Sequence, residues 1–342
     1  MAAILNFENQ QQALSYLNAY HCIGRSNTNV DMVINSPEIS RTHAIIEWKD
    51  KQWFIRDLST NGTWVNSYKL LKDQPHKLQV DDNVFFGQAN THGLLVKDLT
   101  GPENMLLAVE SSGNTSADNT SADNPIILSD FNILPSEEQA EIALFYVHSK
   151  GQWYKEHLID SDGRAYPVEN SDSLFFDNKN WQLKLNNESE NTLPLATPKL
   201  LASQIKYRFN LSRDEETTEL NLITDEEKLS LSDKAHHYLT LSLARHKDSD
   251  ARKGVEADSQ GWILPEIIAK ELGYDITLFN TQVCRAKKQF REVFKGACDG
   301  DELIERKGKK IRFAGSYYRI YKGNELIVNQ GQDKVSLTVM HG

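Results

Sequence analysis

Cysteine is scarce in this 342-residue chain, which holds only Cys22, Cys284 and Cys298. Three cysteines with no metal-like pair among them exclude a disulfide framework and point to free thiols in a reducing cytoplasm. No run of about eighteen apolar residues occurs, so no membrane span is expected. The opening Met1-Ala2-Ala3-Ile4-Leu5-Asn6-Phe7 lacks the basic region and long apolar stretch of a signal peptide. Also missing are a glycine-rich phosphate loop ending in Gly-Lys-Ser/Thr, a nucleophile elbow and a zinc-protease helix motif. Neither an enzyme nor a cofactor is expected. His236-His237 has no acidic or cysteine partner at zinc spacing, so it reads as packing rather than as a metal site. Asp160-Ser161-Asp162-Gly163 begins like a calcium loop but lacks the later ligands, and reads as a hairpin turn.

The length suits two or three domains, and 39% apolar with 25% charged residues suits real cores. The net charge of −10 is unevenly spread. Residues 234–342 carry 19 Lys and Arg against 14 Asp and Glu, so the acidic excess lies before them. Residues 4–99 read as short strands joined by turns, among them Ala44–Trp48 and Gln52–Asp57 around Lys49-Asp50-Lys51, which argues for a β-sandwich over 1–99. Residues 100–125, with Thr115-Ser116-Ala117-Asp118-Asn119 repeated at Thr120–Asn124, read as a flexible linker. Strand patterns return over 126–190, a second linker is expected over 191–204, and a C-terminal domain over 205–322 with a tail over 323–342. The fold class is therefore multidomain, mainly β and then α+β.

Three polar clusters punctuate the first domain: Ile23-Gly24-Arg25-Ser26, Ser36-Pro37-Glu38-Ile39-Ser40-Arg41-Thr42-His43 and Asp57-Leu58-Ser59-Thr60-Asn61-Gly62. A phosphorylated side chain presents about two negative charges and three acceptor oxygens. Arg25 offers a planar fork for phosphate oxygens, Arg41 a second charge, and Ser40 and Thr60 hydroxyl donors. Gly62 allows a turn with positive φ. The ordered set resembles the forkhead-associated (FHA) domain, a phosphothreonine-binding module. By that resemblance Arg25, Ser40, Arg41, Thr60 and Asn61 would contact the phosphopeptide, Asn61 through the ligand's main chain. Gly24, His43 and Gly62 would be structural, with His43 bracing the loops. A phosphothreonine-containing protein, a Ser/Thr kinase or its substrate, is the implied partner.

The C-terminal region reads as a β-hairpin (Ile205–Leu211 and Thr218–Thr224), helices over Lys234–Arg245, Pro265–Leu272 and Thr277–Phe294, and a basic hairpin at Glu302–Phe313. This order resembles the winged-helix effector domain of bacterial response regulators. In that family the last helix enters the DNA major groove and the hairpin reaches the neighbouring groove. Helical spacing puts Leu278, Val283, Ala286 and Phe290 on or beside a buried stripe. Asn280, Thr281, Arg285, Lys287, Lys288 and Arg291, with Cys284 among them, are then expected to fall largely on the outer side. With Lys307, Lys309 and Arg312 they would contact duplex DNA, reading base edges or anchoring phosphates. The expected function is a transcription regulator gated by phosphothreonine. The alternative is a signalling scaffold whose winged helix binds protein.

Overall fold

The computed structural model describes residues 3–6, 14–109, 124–186, 202–295 and 297–331. The chain divides into two compact units, one of residues 1–129 with 169–192 and one of 130–168 with 193–342. The expected middle segment is therefore shared between them. Among the described residues no helix is long and apolar enough to cross a membrane.

The first unit opens with eleven strands: β1 (Ala3–Asn6), β2 (Leu14–Tyr16), β3 (Tyr20–Gly24), β4 (Met32–Val33), β5 (Ala44–Lys49), β6 (Gln52–Asp57), β7 (Thr63–Val65), β8 (Tyr68–Lys69), β9 (His76–Lys77), β10 (Asn83–Phe86) and β11 (Gly93–Asp98). They form a sheet ordered β2-β1-β11-β10-β7-β8 and a sheet ordered β4-β3-β5-β6-β9. Alternation decides what each face buries. In β6, Trp53, Ile55 and Asp57 point inward while Gln52, Phe54 and Arg56 do not. Ile4, Ile23, Ile46, Trp53, Ile55, Val84, Phe86, Leu94 and Val96 from both sheets share one core. Each large apolar side chain buried there contributes roughly 1.5–3 kcal/mol. The β5–β6 hairpin turns through Asp50 and Lys51, both at positive φ (50° and 60°), the twist that matches a two-residue hairpin.

The same unit holds β12 (Met105–Val109), β13 (Ile126–Ile127), β18 (Ser173–Phe176) and β19 (Lys179–Lys184), ordered β13-β12-β19-β18. Strand β12 corrects the expected 100–125 linker. Met105-Leu106-Leu107-Ala108 is an apolar run that is buried once paired with β19. The repeated Thr-Ser-Ala-Asp-Asn segment lies outside the described residues.

In the second unit, β14 (Phe131–Leu134), β15 (Ile142–Val147), β16 (Gln152–His157) and β17 (Ala165–Val168) form an antiparallel sheet in chain order. As expected, Asp160–Gly163 lies in the turn joining two antiparallel strands. A five-stranded sheet follows, β22-β21-β20-β25-β26, from β20 (Lys206–Leu211), β21 (Thr218–Ile223), β22 (Lys228–Leu231), β25 (Tyr317–Lys322) and β26 (Glu325–Gln330). The expected tail from 323 thus begins with a paired strand. Most of the expected 191–204 linker lies outside the described residues. Between β22 and β25 run α1 (Ala235–Arg252), α2 (Pro265–Glu271), α3 (Ile276–Val293) and the hairpin of β23 (Ile304–Lys307) and β24 (Lys310–Phe313). Ile263 bridges to Ile311, tying the segment before α2 to the hairpin. Pro265 occupies the first turn of α2, where its missing N–H costs nothing. Asp275 caps α3 by accepting from the Leu278 amide at 2.7 Å.

Helix α3 is the centre of this unit. Phe279, Val283, Ala286 and Phe290 join the core formed by α1 and the five-stranded sheet. Leu278, expected beside the buried stripe, is exposed, and Phe279 takes that place.

Candidate functional site

At one end of the first sandwich, three loops converge. The β3 end meets the loop before β5 through two backbone bonds, Arg25 N–H to Ser40 O (2.9 Å) and Ser26 N–H to Arg41 O (3.1 Å). That approach explains Gly24: a Cβ there would stand 2.8 Å from the Arg41 carbonyl carbon, and closer still to its oxygen. Arg25 is exposed, and its Nε–H donates to the Ile39 carbonyl at 3.1 Å. One bond thus orients the guanidinium, while its two terminal nitrogens have no partner among the described residues. Arg41 is exposed beside it.

Ser40 Oγ accepts from the Thr60 amide at 3.1 Å, which ties the second loop to the third and leaves the hydroxyl proton free to donate. Thr60 and Asn61 are exposed on that third loop. Asn61 Nδ2 donates to the Glu38 carbonyl at 2.7 Å, so one end of its amide is anchored to the second loop. All five expected contact residues lie on these adjoining loops.

His43 braces them from beneath and is fully buried. The Ser40 amide donates to Nδ1 (3.1 Å), which places the ring proton on Nε2, and Nε2–H donates to the Gly62 carbonyl (3.0 Å). The ring stands edge-on to Phe86 at 5.6 Å. Burial pushes its pKa below the ordinary value, outweighing the Gly62 hydrogen bond and nearby Asp57, so it is neutral near pH 7. Gly62 itself sits at φ +113°, a conformation closed to most side chains.

The structure adds residues that sequence reading did not assign. Buried Asp57 Oδ1 accepts from the Ser59 amide (3.1 Å), the Ser59 hydroxyl (2.6 Å) and the Thr63 hydroxyl (2.8 Å), and Ser59 Oγ accepts from the Gly62 amide (2.7 Å). This network shapes the loop that carries Thr60 and Asn61. Its signal was present as Asp57-x-Ser59 followed by Gly62-Thr63, an acceptor placed to cap its own turn.

The residues expected on DNA behave differently. Asn280, Thr281, Lys287 and Arg291 are buried, not outward, and so is Cys284, expected on the same side. Lys287 pairs with Asp301 at 2.6 Å, and Arg291 with Asp299 at 3.5 Å and with the Tyr146 carbonyl. Lys288 pairs with Glu137 at 2.6 Å, and Arg285 donates to the Glu137 backbone carbonyl. Arg312 is held by Glu305 (2.8 Å) and lies over the Trp262 ring. Of the nine, Lys307 and Lys309 are the exposed ones, flanking Gly308 at the hairpin tip. The expectation failed for a physical reason. A polar helix face can be satisfied by acids and carbonyls of the same chain as well as by solvent. His236 and His237 are buried and share Gln289 Oε1 at 2.8 Å each, which agrees with packing.

One loop end of this β-sandwich thus gathers two exposed arginines and two hydroxyls over a buried histidine. Residues 21–87 match the FHA domain family, and the N-terminal domain is an FHA domain. An 80-residue stretch is 34% identical to a protein phosphatase 1 regulatory inhibitor subunit PPP1R8 homolog of Arabidopsis thaliana, covering 23% of this chain and 22% of that protein. The chain therefore spans about a fifth of that relative's length. Among solved structures, an FHA domain studied for phosphothreonine-dependent interactions aligns at 24% identity over 30% of this chain and 99% of its own, with a TM-score of 0.25. The FHA domain of an Arabidopsis thaliana hypothetical protein aligns at 25% over 30% and 87%, TM-score 0.26. The N-terminal FHA domain of S. cerevisiae Rad53p, solved with a phosphothreonine peptide, aligns at 20% over 28% and 91%, TM-score 0.25.

Proposed function

We propose that this chain is a phosphothreonine-dependent signalling protein whose FHA domain docks onto a partner modified by a Ser/Thr kinase. The observation that carries this reading is the Arg25 guanidinium, oriented by the Ile39 carbonyl with its terminal nitrogens free, beside Arg41 and the Ser40 and Thr60 hydroxyls. These groups suit a doubly charged phosphate, and Asn61 Oδ1 is available to the peptide main chain. The reading is of a binding protein and assigns no catalytic step.

For the C-terminal domain we keep the winged-helix reading, supported by the order of three helices and a hairpin and by the Ile263–Ile311 bridge. With the expected reading face of α3 packed within the chain, the geometry favours the scaffold over the DNA-binding regulator. In this reading the C-terminal domain contacts protein.

The test is a titration of the full chain with one peptide in phosphothreonine, phosphoserine and unmodified forms. Phosphothreonine should bind best, and Arg25→Ala should cost about 1.5–3 kcal/mol, roughly ten- to 150-fold. Equal binding of modified and unmodified peptide would sink the reading. Duplex DNA titrated against the same protein decides the second half. Tight, salt-sensitive binding would restore the regulator.

A further inference from the structure

Most of the strand pairings of the FHA domain occur a second time among the described residues, without counterparts of β4, β7 and β8. Pairs β12–β13, β12–β19 and β18–β19 repeat β1–β2, β1–β11 and β10–β11, and the order β14-β15-β16-β17 repeats β3-β5-β6-β9. The details repeat as well. Gln52-Trp53 opens β6 and Gln152-Trp153 opens β16. Trp53 faces Trp48 across its hairpin, ring centroids 5.2 Å apart and tilted by 53°; Trp153 faces Tyr146, 5.7 Å apart and tilted by 55°.

Backbone bonds fix the correspondence further. The His43 amide donates to the Ile23 carbonyl and the Leu58 amide to the His43 carbonyl, both at 2.8 Å; Glu141 does the same with Leu134 (2.8 Å) and Leu158 (2.9 Å). The turn before β10 is closed by the Gln79 amide on Asp82 Oδ2 (2.7 Å), and the turn before β18 by the Glu169 amide on Asp172 Oδ2 (2.9 Å). Asp81 and Ser171, preceding those aspartates, both have positive φ (69° and 74°).

This register shows what the second copy lacks. Glu141 stands where His43 stands, and Pro135-Ser136 follows Leu134 where Gly24-Arg25 follows Ile23. The phosphate-binding cation is gone, and Glu137, Glu138 and Asp162 make the loops acidic. The same two loops hold α3 instead. From the loop before β15, Glu137 takes Lys288 on its carboxylate at 2.6 Å and Arg285 on its carbonyl. From the loop after β16, the Ser161 and Leu158 carbonyls take Asn280 Nδ2 (3.1 and 3.4 Å), and the Asp162 carbonyl takes Arg306 (3.1 Å). Between them Cys284 packs in an apolar cluster with Ala140, Ala143 and Leu158.

We propose that the middle segment is a second FHA copy whose loop end, stripped of its phosphate cation, serves as the receptor for α3 of its own chain. The second copy thereby covers the basic face that the sequence assigns to an outside ligand. Complementary charge and one buried apolar patch set the fit. The inference stands apart from phosphopeptide binding by the first copy.

Cys284 reports on this seat directly, because it is fully buried on the face of α3 that meets the second copy. Cys298, buried in the C-terminal core, reports on general unfolding. The full-length protein is alkylated with iodoacetamide and each cysteine is followed by peptide mass spectrometry. Cys284 should react far more slowly than half-exposed Cys22. Glu137→Lys, and separately Lys288→Glu, should speed Cys284 roughly three- to tenfold while leaving Cys298 unchanged, and the two together should restore protection. The proposal is overturned if wild-type Cys284 reacts as fast as Cys22, or if neither single variant speeds it. A rise at Cys298 matching that at Cys284 in both single variants, or a double variant as reactive as the singles, would overturn it as well.

Discussion

Replacing His43 by Phe keeps a ring against Phe86 and deletes its hydrogen bonds with the Ser40 amide and the Gly62 carbonyl, along with the 3.3 Å approach of the Gly87 amide to Nε2. The Ser40 amide has His43 Nδ1 as its acceptor, so it would be left part-buried and unpaired, at a cost of about 1–3 kcal/mol. The Gly62 carbonyl keeps the Gly87 amide at 3.0 Å and loses only a second donor, a further loss of about 0.5–1.5 kcal/mol. Together the loop arrangement that presents Ser40, Thr60 and Asn61 becomes less favoured by about 1.5–4.5 kcal/mol. A ligand that needs this arrangement must restore it, so phosphopeptide affinity should fall by up to roughly 10- to 2000-fold. The assay pairs a peptide titration with hydrogen exchange at the Ser40 amide. Lost affinity should come with lost protection at Ser40, whereas Arg25→Ala should weaken binding and leave that amide protected. Affinity within threefold of wild type, with Ser40 still protected in His43→Phe, would refute the bracing role.

Gly24→Ala should shift the β3 end away from Arg41 and destabilise the first unit by at least about 1–3 kcal/mol, read as a lower urea midpoint. It should also weaken peptide binding, because Arg25 is displaced with it. Burial pushes the His236 pKa down to about 4, with His237, Arg285 and Lys234 disfavouring its charge as well. A depressed folded-state value means that its contribution is present above about pH 6.5 and is lost as pH falls towards 4. The unfolding free energy of the second unit, read from urea titrations, should therefore drop between pH 6.5 and 4 by up to about 3 kcal/mol, and His236→Gln should flatten that slope.

The FHA domain was legible because its evidence is local. Arg25, Ser40, Thr60, Asn61 and Gly62 each sit in a short loop between strands, and strand alternation with turn residues fixes where those loops fall. The C-terminal helices were legible for a similar reason, since apolar spacing and the residues at their ends mark them one at a time. The second FHA copy was not, apart from Gln152-Trp153, because a sheet is held by backbone hydrogen bonds that almost any sequence can make. Glu141 can keep His43's place in that ladder without keeping its chemistry.

The helix face was lost to sequence reading on different grounds. Polar residues at Asn280, Lys287 and Arg291 say that this side of α3 must be satisfied, and they do not say by what. Partners far along the chain, Leu158 and Ser161 for Asn280 and Tyr146 for Arg291, answer that need. Sequence by itself determined most of the strands, the helices and the three converging loops of the first unit, because each depends on residues close together in the chain; β12 and β26, which the sequence left in a linker and a tail, needed their pairing partners. Only the tertiary structure decided that α3 is enclosed, because desolvating a charged face is affordable only when carboxylates and carbonyls from remote segments arrive to meet it.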